Sequence, residues 1–341
     1  MTFANNGDKH NFGKVVERIV EASGTKYRKP RTVYWEHLFF GTNSPLKSVF
    51  SEAGPNDDRP LSDYLFNLDV QIEHPWLGYA AEVKKSYQPI NDRHFYSLGV
   101  LLGYCYLFGI RDLHWGNIII QDDHLQVVDA EVVLVNLHLP HETILLPFKD
   151  IKFQSCGASL VTKNLDLFSQ SQKEIIFSGY FDAANRILDY RESILEILKG
   201  EELKQQPVRV IIKNTAVYRA FSESKLAAEM IPEELAQLDR GDIPYFYKNL
   251  GSEDLLFLGR QYYAEKVRLT DETAIKDAQR HGVPPETLLG SHKALKSKIA
   301  TGALYLQKVF TPSDLVLKDA SAGKIVVGPT LRCRGCEYKR G

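Results

Sequence analysis

The chain has 341 residues, enough to bury a sizeable core in two or three lobes. Hydrophobic residues make up 44%, charged residues 25%, and the formal net charge is −1, so there is no basic field of the kind a nucleic-acid binder needs. The Met1 end lacks a signal pattern, the longest apolar run (Leu98 to Ile110) is glycine-broken and too short for a transmembrane segment, and four cysteines make no disulfide framework, so a cytoplasmic location is expected.

Lys14 to Ile19 and Lys26 to Tyr34 flank a turn at Ser23-Gly24 and predict a β-hairpin. Trp35 to Phe40 carries apolar residues at helical spacing, and Ser51 to Pro60, rich in Pro, Asp and Gly, predicts a loop. Asp92 to Phe108 reads as a mostly buried helix. Ile118 to Ile120 and Leu125 to Val128 are short strands around a turn at Gln121 to His124. Glu174 to Leu198 predicts one or two helices, Val208 to Ile212 a β-branched strand, and Ser224 to Phe310 several further helices. Strands first, helices later, and no regular βαβ alternation indicate an α+β fold.

The sharpest chemical signal is Asp112-Leu-His114-Trp-Gly-Asn117 followed by a β-turn-β segment that ends in Asp129-Ala-Glu131. Phosphoryl transfer asks a protein for positioning and charge neutralisation. One carboxylate sits by the attacking hydroxyl; an amide and a second carboxylate hold Mg²⁺. Asp112 and Asn117 have the D-x-x-x-x-N spacing of kinases, and Asp129 follows twelve residues after Asn117. Glu131, two residues beyond Asp129, projects to the same side of a strand. Upstream, Gly7 to Gly13 contains two glycines but fits neither a P-loop nor a dinucleotide fingerprint. Lys29 stands in a basic strand end, Lys26 to Arg31, where a kinase needs its phosphate-facing lysine. Cys333 and Cys336 form a single CxxC, weak as a zinc signal without a second pair.

Four separated blocks then resemble the dehydratase region of class II lanthipeptide synthetases, the LanM enzymes. Gly7-Asp8-x-His10-Asn11-x-Gly13 with Lys26-Tyr-Arg-Lys29-Pro-Arg31 is the first, and Asp112-x-His114-x-x-Asn117 with Asp129-x-Glu131 the second. Val208-Arg209 to Thr215-x-x-Tyr218 is the third and Gln237 to Phe246 the fourth. The resemblance implies a kinase-like (lipid-kinase-like) two-lobed core with additional helical elements. It divides the chain into an N-lobe-like hairpin (1–70), a catalytic C-lobe core (71–150), a shortened activation-type helical segment (151–205), and an elimination-associated strand with C-terminal helices (206–341).

The implied activity is ATP-dependent phosphorylation of Ser or Thr in a precursor peptide, then elimination of phosphate to dehydroalanine or dehydrobutyrine. Asp112 would position or deprotonate the hydroxyl, and His114 of the same motif is counted with it among the catalytic residues. Asn117 and Asp129 would hold Mg²⁺, and Asp8, His10, Lys29 and Glu131 would serve the ATP site. Arg209 and Thr215 match positions tied to elimination; six apart in the predicted strand, they are expected on one side of it. A guanidinium suits a departing phosphate.

Trp115-Gly116 stand where the family usually has an aromatic and an acid. The chain starts shortly before Asp8, the 131–209 stretch is short, and no cyclase follows, so a separate cyclase or leader-binding protein is an expected partner. Two other readings stay open: a kinase-like phosphotransferase without lyase activity, and a non-catalytic remnant.

Overall fold

At the N-terminus the predicted hairpin forms, with β1 (Glu17–Glu21) antiparallel to β2 (Gly24–Lys29) and Arg18 opposite Tyr27. The computed structural model describes residues 8–310 apart from 23, 148–150, 214, 220–229 and 260–262. Gly7, Ser23, Cys333 and Cys336 lie outside the described residues. The first strand starts later than predicted because His10 and Lys14 bond each other across a tight turn. The second stops at Lys29, before Pro30, which has no N–H to give a ladder.

Helix α1 (Tyr34–Phe40) follows, then the short α2 (Ser62–Leu65) and a hairpin of β3 (Val70–His74) and β4 (Leu77–Ala81). These two strands, absent from the sequence reading, complete a four-stranded sheet in the order β1-β2-β4-β3. Their signal was short: Val70 and Ile72 alternate with polar residues for only one period before Pro75.

Helix α3 (Asp92–Phe108) opens on an Asn91 cap, whose side chain accepts from Arg93 N, and closes on Gly109 at φ 65°. It is the spine of the core. The hairpin β5 (Ile118–Gln121) and β6 (His124–Val127) comes next, then α4 (Gln170–Asp189), α5 (Arg191–Ile197) and α6 (Glu201–Lys204). Helices α3 and α4 touch backbone to backbone through glycine. A Cβ on Gly99 would lie 2.0 Å from Ile176 O, and one on Gly179 2.2 Å from Tyr96 O.

The last part departs from the predicted run of helices. Strands β7 (Pro207–Val210), β8 (Phe246–Asn249), β9 (Leu256–Leu258) and β10 (Ala264–Lys266) form a second four-stranded sheet in the order β10-β9-β8-β7. Aromatic and branched residues at 245–247 and 255–258 favour strands where two neighbours can pair. Helices α7 (Thr215–Arg219), α8 (Pro232–Asp239), α9 (Glu272–Gln279), α10 (Pro285–Leu289) and α11 (His292–Phe310) surround this sheet and the α3–α4 pair. The whole is a mixture of helix and sheet, consistent with α+β. None of the described helices is long and apolar enough to cross a membrane.

Candidate active site

The Asp112 loop is held from both sides. Arg111 N donates to Val132 O at 2.8 Å and Leu113 N to Thr143 O at 2.9 Å. Between them Asp112 takes φ 66°, a left-handed conformation that Asp tolerates better than most residues. Asn117 Nδ2 donates to Asp112 O at 2.8 Å and so closes the loop on itself. The β5–β6 register places Ile118 opposite Val127, and Val128 N donates to Asn117 O at 2.9 Å. That pairing carries Asp129 back to the loop. His114 Nδ1 accepts from Gly116 N at 3.0 Å, so its neutral form carries the proton on Nε2.

A lattice of charge lies beside this loop. Lys29 Nζ donates to Glu36 Oε1 and to Val128 O, each at 2.7 Å. Arg31 reaches three carboxylates: Glu36 Oε1 at 2.8 Å, Asp129 Oδ1 at 2.7 Å and Glu131 Oε2 at 3.2 Å. Arg209 pairs with Glu131, and its guanidinium lies 5.0 Å from the Tyr245 ring centre. Glu36 is fully buried, and two cations compensate its charge.

These groups meet at a cleft of about 640 Å³ lined by Asp8, His10, Asp112, His114, Asn117, Asp129, Glu131, Arg209 and Thr215, together with Arg31, Arg111 and Lys213. Nine of the ten residues singled out from the sequence therefore share one cavity. Lys29 does not line it. Its ammonium is buried against helix α1, where Glu36 captures it, so the lysine braces a strand to a helix. A strand-lysine to helix-glutamate pair is also what a kinase core uses to set its phosphate site.

Thr215 needs a second correction. It stands at the start of α7 and not on the strand of Arg209. Pairing of β7 ends at Val210 opposite Phe246, so Ile211 onward has no partner strand, despite its branched side chains. The turn nevertheless brings Thr215 to the cleft.

Sequence reasoning missed Glu36, a single acid within an apolar helical run, and Arg31, which was noted only as part of a basic strand end. Lys213 was missed too; it bonds Glu234 Oε2 at 2.6 Å. Arg111 makes no ion pair or side-chain hydrogen bond among the described residues.

The two aspartates are tuned in opposite directions. Burial raises the pKa of Asp112, against the pull of His114 and Arg209. Burial also works to raise Asp129, but Arg31, Lys29 and Arg209 outweigh it and hold that carboxyl below its usual range. His10 is pushed down to about 4 by burial and by Arg209. Its Nδ1 lies 2.7 Å from Ile243 O, which can only accept, so Nδ1 carries the proton.

The donor set suits Mg²⁺, which binds through one or two protein oxygens and keeps water and phosphate as its other ligands. Asn117 spends its amide nitrogen on Asp112 O and leaves its oxygen for a cation. Asp129 spends Oδ1 on Arg31 and leaves Oδ2 without a protein partner among the described residues. No group of three or more His, Cys, Asp or Glu placed to hold a metal occurs among them.

Residues 2–166 match the family described as a domain of unknown function, DUF4135. That domain is found in LanM-type lantibiotic synthetases. Over 132 residues the chain is 28% identical to the lacticin 481/lactococcin biosynthesis protein LcnDR2 of Lactococcus lactis subsp. lactis, a stretch covering 37% of this chain and 14% of that protein. Both findings point to lantibiotic biosynthesis. The DUF4135 match takes in the cleft residues from Asp8 to Glu131 and stops short of Arg209 and Thr215.

Proposed function

We propose that this chain, whose residues 2–166 are a DUF4135 domain of the kind found in LanM-type lantibiotic synthetases, is a kinase-like enzyme that dehydrates Ser and Thr in a precursor peptide. One observation carries the proposal: Asp112, Asn117 and Asp129, from one loop and hairpin, line a single cleft with Arg209 and Thr215, which come from a segment far along the chain. Bound ATP with Mg²⁺ would supply the phosphoryl group and the charge that shields it. Asn117 and Asp129 would hold the metal, and Asp112, the more basic carboxylate, would take the proton of the substrate hydroxyl. Arg31 and the buried Lys29–Glu36 pair keep Asp129 ionised and in place.

In the second half-reaction a base in the cleft would take the peptide's α-proton, the Cα–H electron pair would form the Cα=Cβ double bond as the Cβ–O bond breaks, and phosphate would leave with the Cβ–O pair toward Arg209 and Thr215. This half rests on residues outside the DUF4135 match. Arg209 is already paired with Glu131, an observation that favours the kinase-only reading. Mass spectrometry of a Ser- and Thr-rich peptide incubated with ATP and Mg²⁺ separates the two. The dehydratase gives a product lighter by one water, and Arg209→Ala accumulates a phosphopeptide. An intact protein that stops at the phosphopeptide is a kinase alone.

A further inference from the structure

The loop that opens the described chain is pinned by an acid far away in sequence. Phe12 N donates to Asp242 Oδ2 and Gly13 N to Asp242 Oδ1, each at 2.7 Å. Both amides sit in a run, Asn11, Phe12 and Gly13, with φ of 47°, 71° and 75°. Asn and Gly accept this left-handed conformation; a bulky Phe does so only where its surroundings enforce it. Successive amides in such a turn form a concavity for an anion. Here a carboxylate of the same chain, 1% exposed, fills it.

Neighbouring contacts point the same way. Arg240 Nε donates to Asp242 Oδ2 at 2.6 Å while its guanidinium lies 4.0 Å from the Phe12 ring centre. Ile243 N donates to Lys9 O and His10 Nδ1 to Ile243 O, each at 2.7 Å. Just beyond, Tyr247 on β8 pairs with Arg209 on β7.

We propose that Asp242 is a positioning residue for the nucleotide. It occupies the amides of the 10–14 loop that an anion would otherwise take, and so presents the loop's side chains, His10 foremost, to the phosphates in the cleft. Loop and Arg209 are thereby indexed to one sheet. This role rests on the ATP-dependent function proposed above, but it departs from a glycine-rich loop that cradles phosphate with its backbone.

Two kinds of measurement test it. Hydrogen exchange without nucleotide should find the Phe12 and Gly13 amides protected in the intact protein and exposed in Asp242→Asn. Calorimetry with ATP and Mg²⁺ should find Asp242→Asn weaker by about tenfold, the effect of losing a charged hydrogen bond. In turnover the loss should fall on KM for ATP and leave kcat within about threefold. Adding Asp242→Asn to His10→Ala should change affinity little further, because the clamp acts through that loop. Should Asp242→Asn fail to fold, Asp242→Ser, which also removes the charge and one of the two oxygens that accept from the amides, is read in the same way. Protected amides with ATP affinity indifferent to Asp242→Asn would overturn this role alone. Protected amides in a protein that binds no ATP would overturn the proposed function with it.

Discussion

At the scale of residues, the proposed function divides its tasks between the two aspartates of the cleft. Environments that push neighbouring carboxyls in opposite directions mark one as a base and the other as a permanent charge. Asp112 is the raised member and Asp129 the lowered one. Replacing Asp112 by Asn should leave ATP binding largely intact and slow phosphoryl transfer by ~10²–10⁴-fold; unaltered turnover would remove Asp112 from the reaction.

His10 supplies a pH prediction. Its pKa in the fold is about 4 against 6.5 for a free imidazole. Between those values the unfolded chain holds the proton and the folded one does not. The stability His10 contributes is therefore full above pH 6.5 and declines as pH falls toward 4. An NMR titration of its ring should show a midpoint near 4. An ordinary midpoint would mean that the ring is not buried beneath Ile243 and Arg209.

Chemistry confined to a short stretch was legible in the sequence. Asp112, Asn117 and Asp129 are linked by a loop and one hairpin, so spacing alone places them together. Glu36 was not legible because a lone acid in an apolar helical run carries no pattern of its own, and the contacts of Arg31 to Asp129 and of Asp242 to Phe12 and Gly13 cross the fold, where no local pattern encodes them.

At the scale of elements, the same rule holds. Helices α1 and α3 and the β5–β6 hairpin follow from periodicity within a single segment. The strands that were missed, β3, β4, β8, β9 and β10, are short and depend on distant neighbours for their pairing. The α3–α4 contact was equally hidden, since Gly99 looked like an interruption of an apolar run and acts instead, with Gly179, as a point of backbone approach. Gly99→Ala should destabilise the protein by about 1–3 kcal/mol or more, because the added methyl meets backbone that cannot move aside. Urea unfolding should show a lower midpoint at an unchanged slope. A midpoint equal to that of the intact protein would contradict the close packing of the two helices.

At the scale of the whole molecule, two sheets and a helical core converge on the cleft. Trp35 Nε1 donates to Pro207 O at 2.7 Å, tying α1 to β7, and Trp76 meets Tyr247 edge-on at 4.9 Å, tying the β3–β4 turn to β8. The 10–14 loop crosses the same boundary through Asp242. The side chains assigned to phosphoryl transfer are thus held in a common frame with Arg209. Under the proposed function this frame is an ATP site organised by Asp129. Calorimetry of ATP with and without Mg²⁺, on the intact protein and on Asp129→Ala, tests it most directly. Binding should depend on Mg²⁺ and be severely weakened in Asp129→Ala. Equal affinity in the two proteins, or binding indifferent to Mg²⁺, would contradict it.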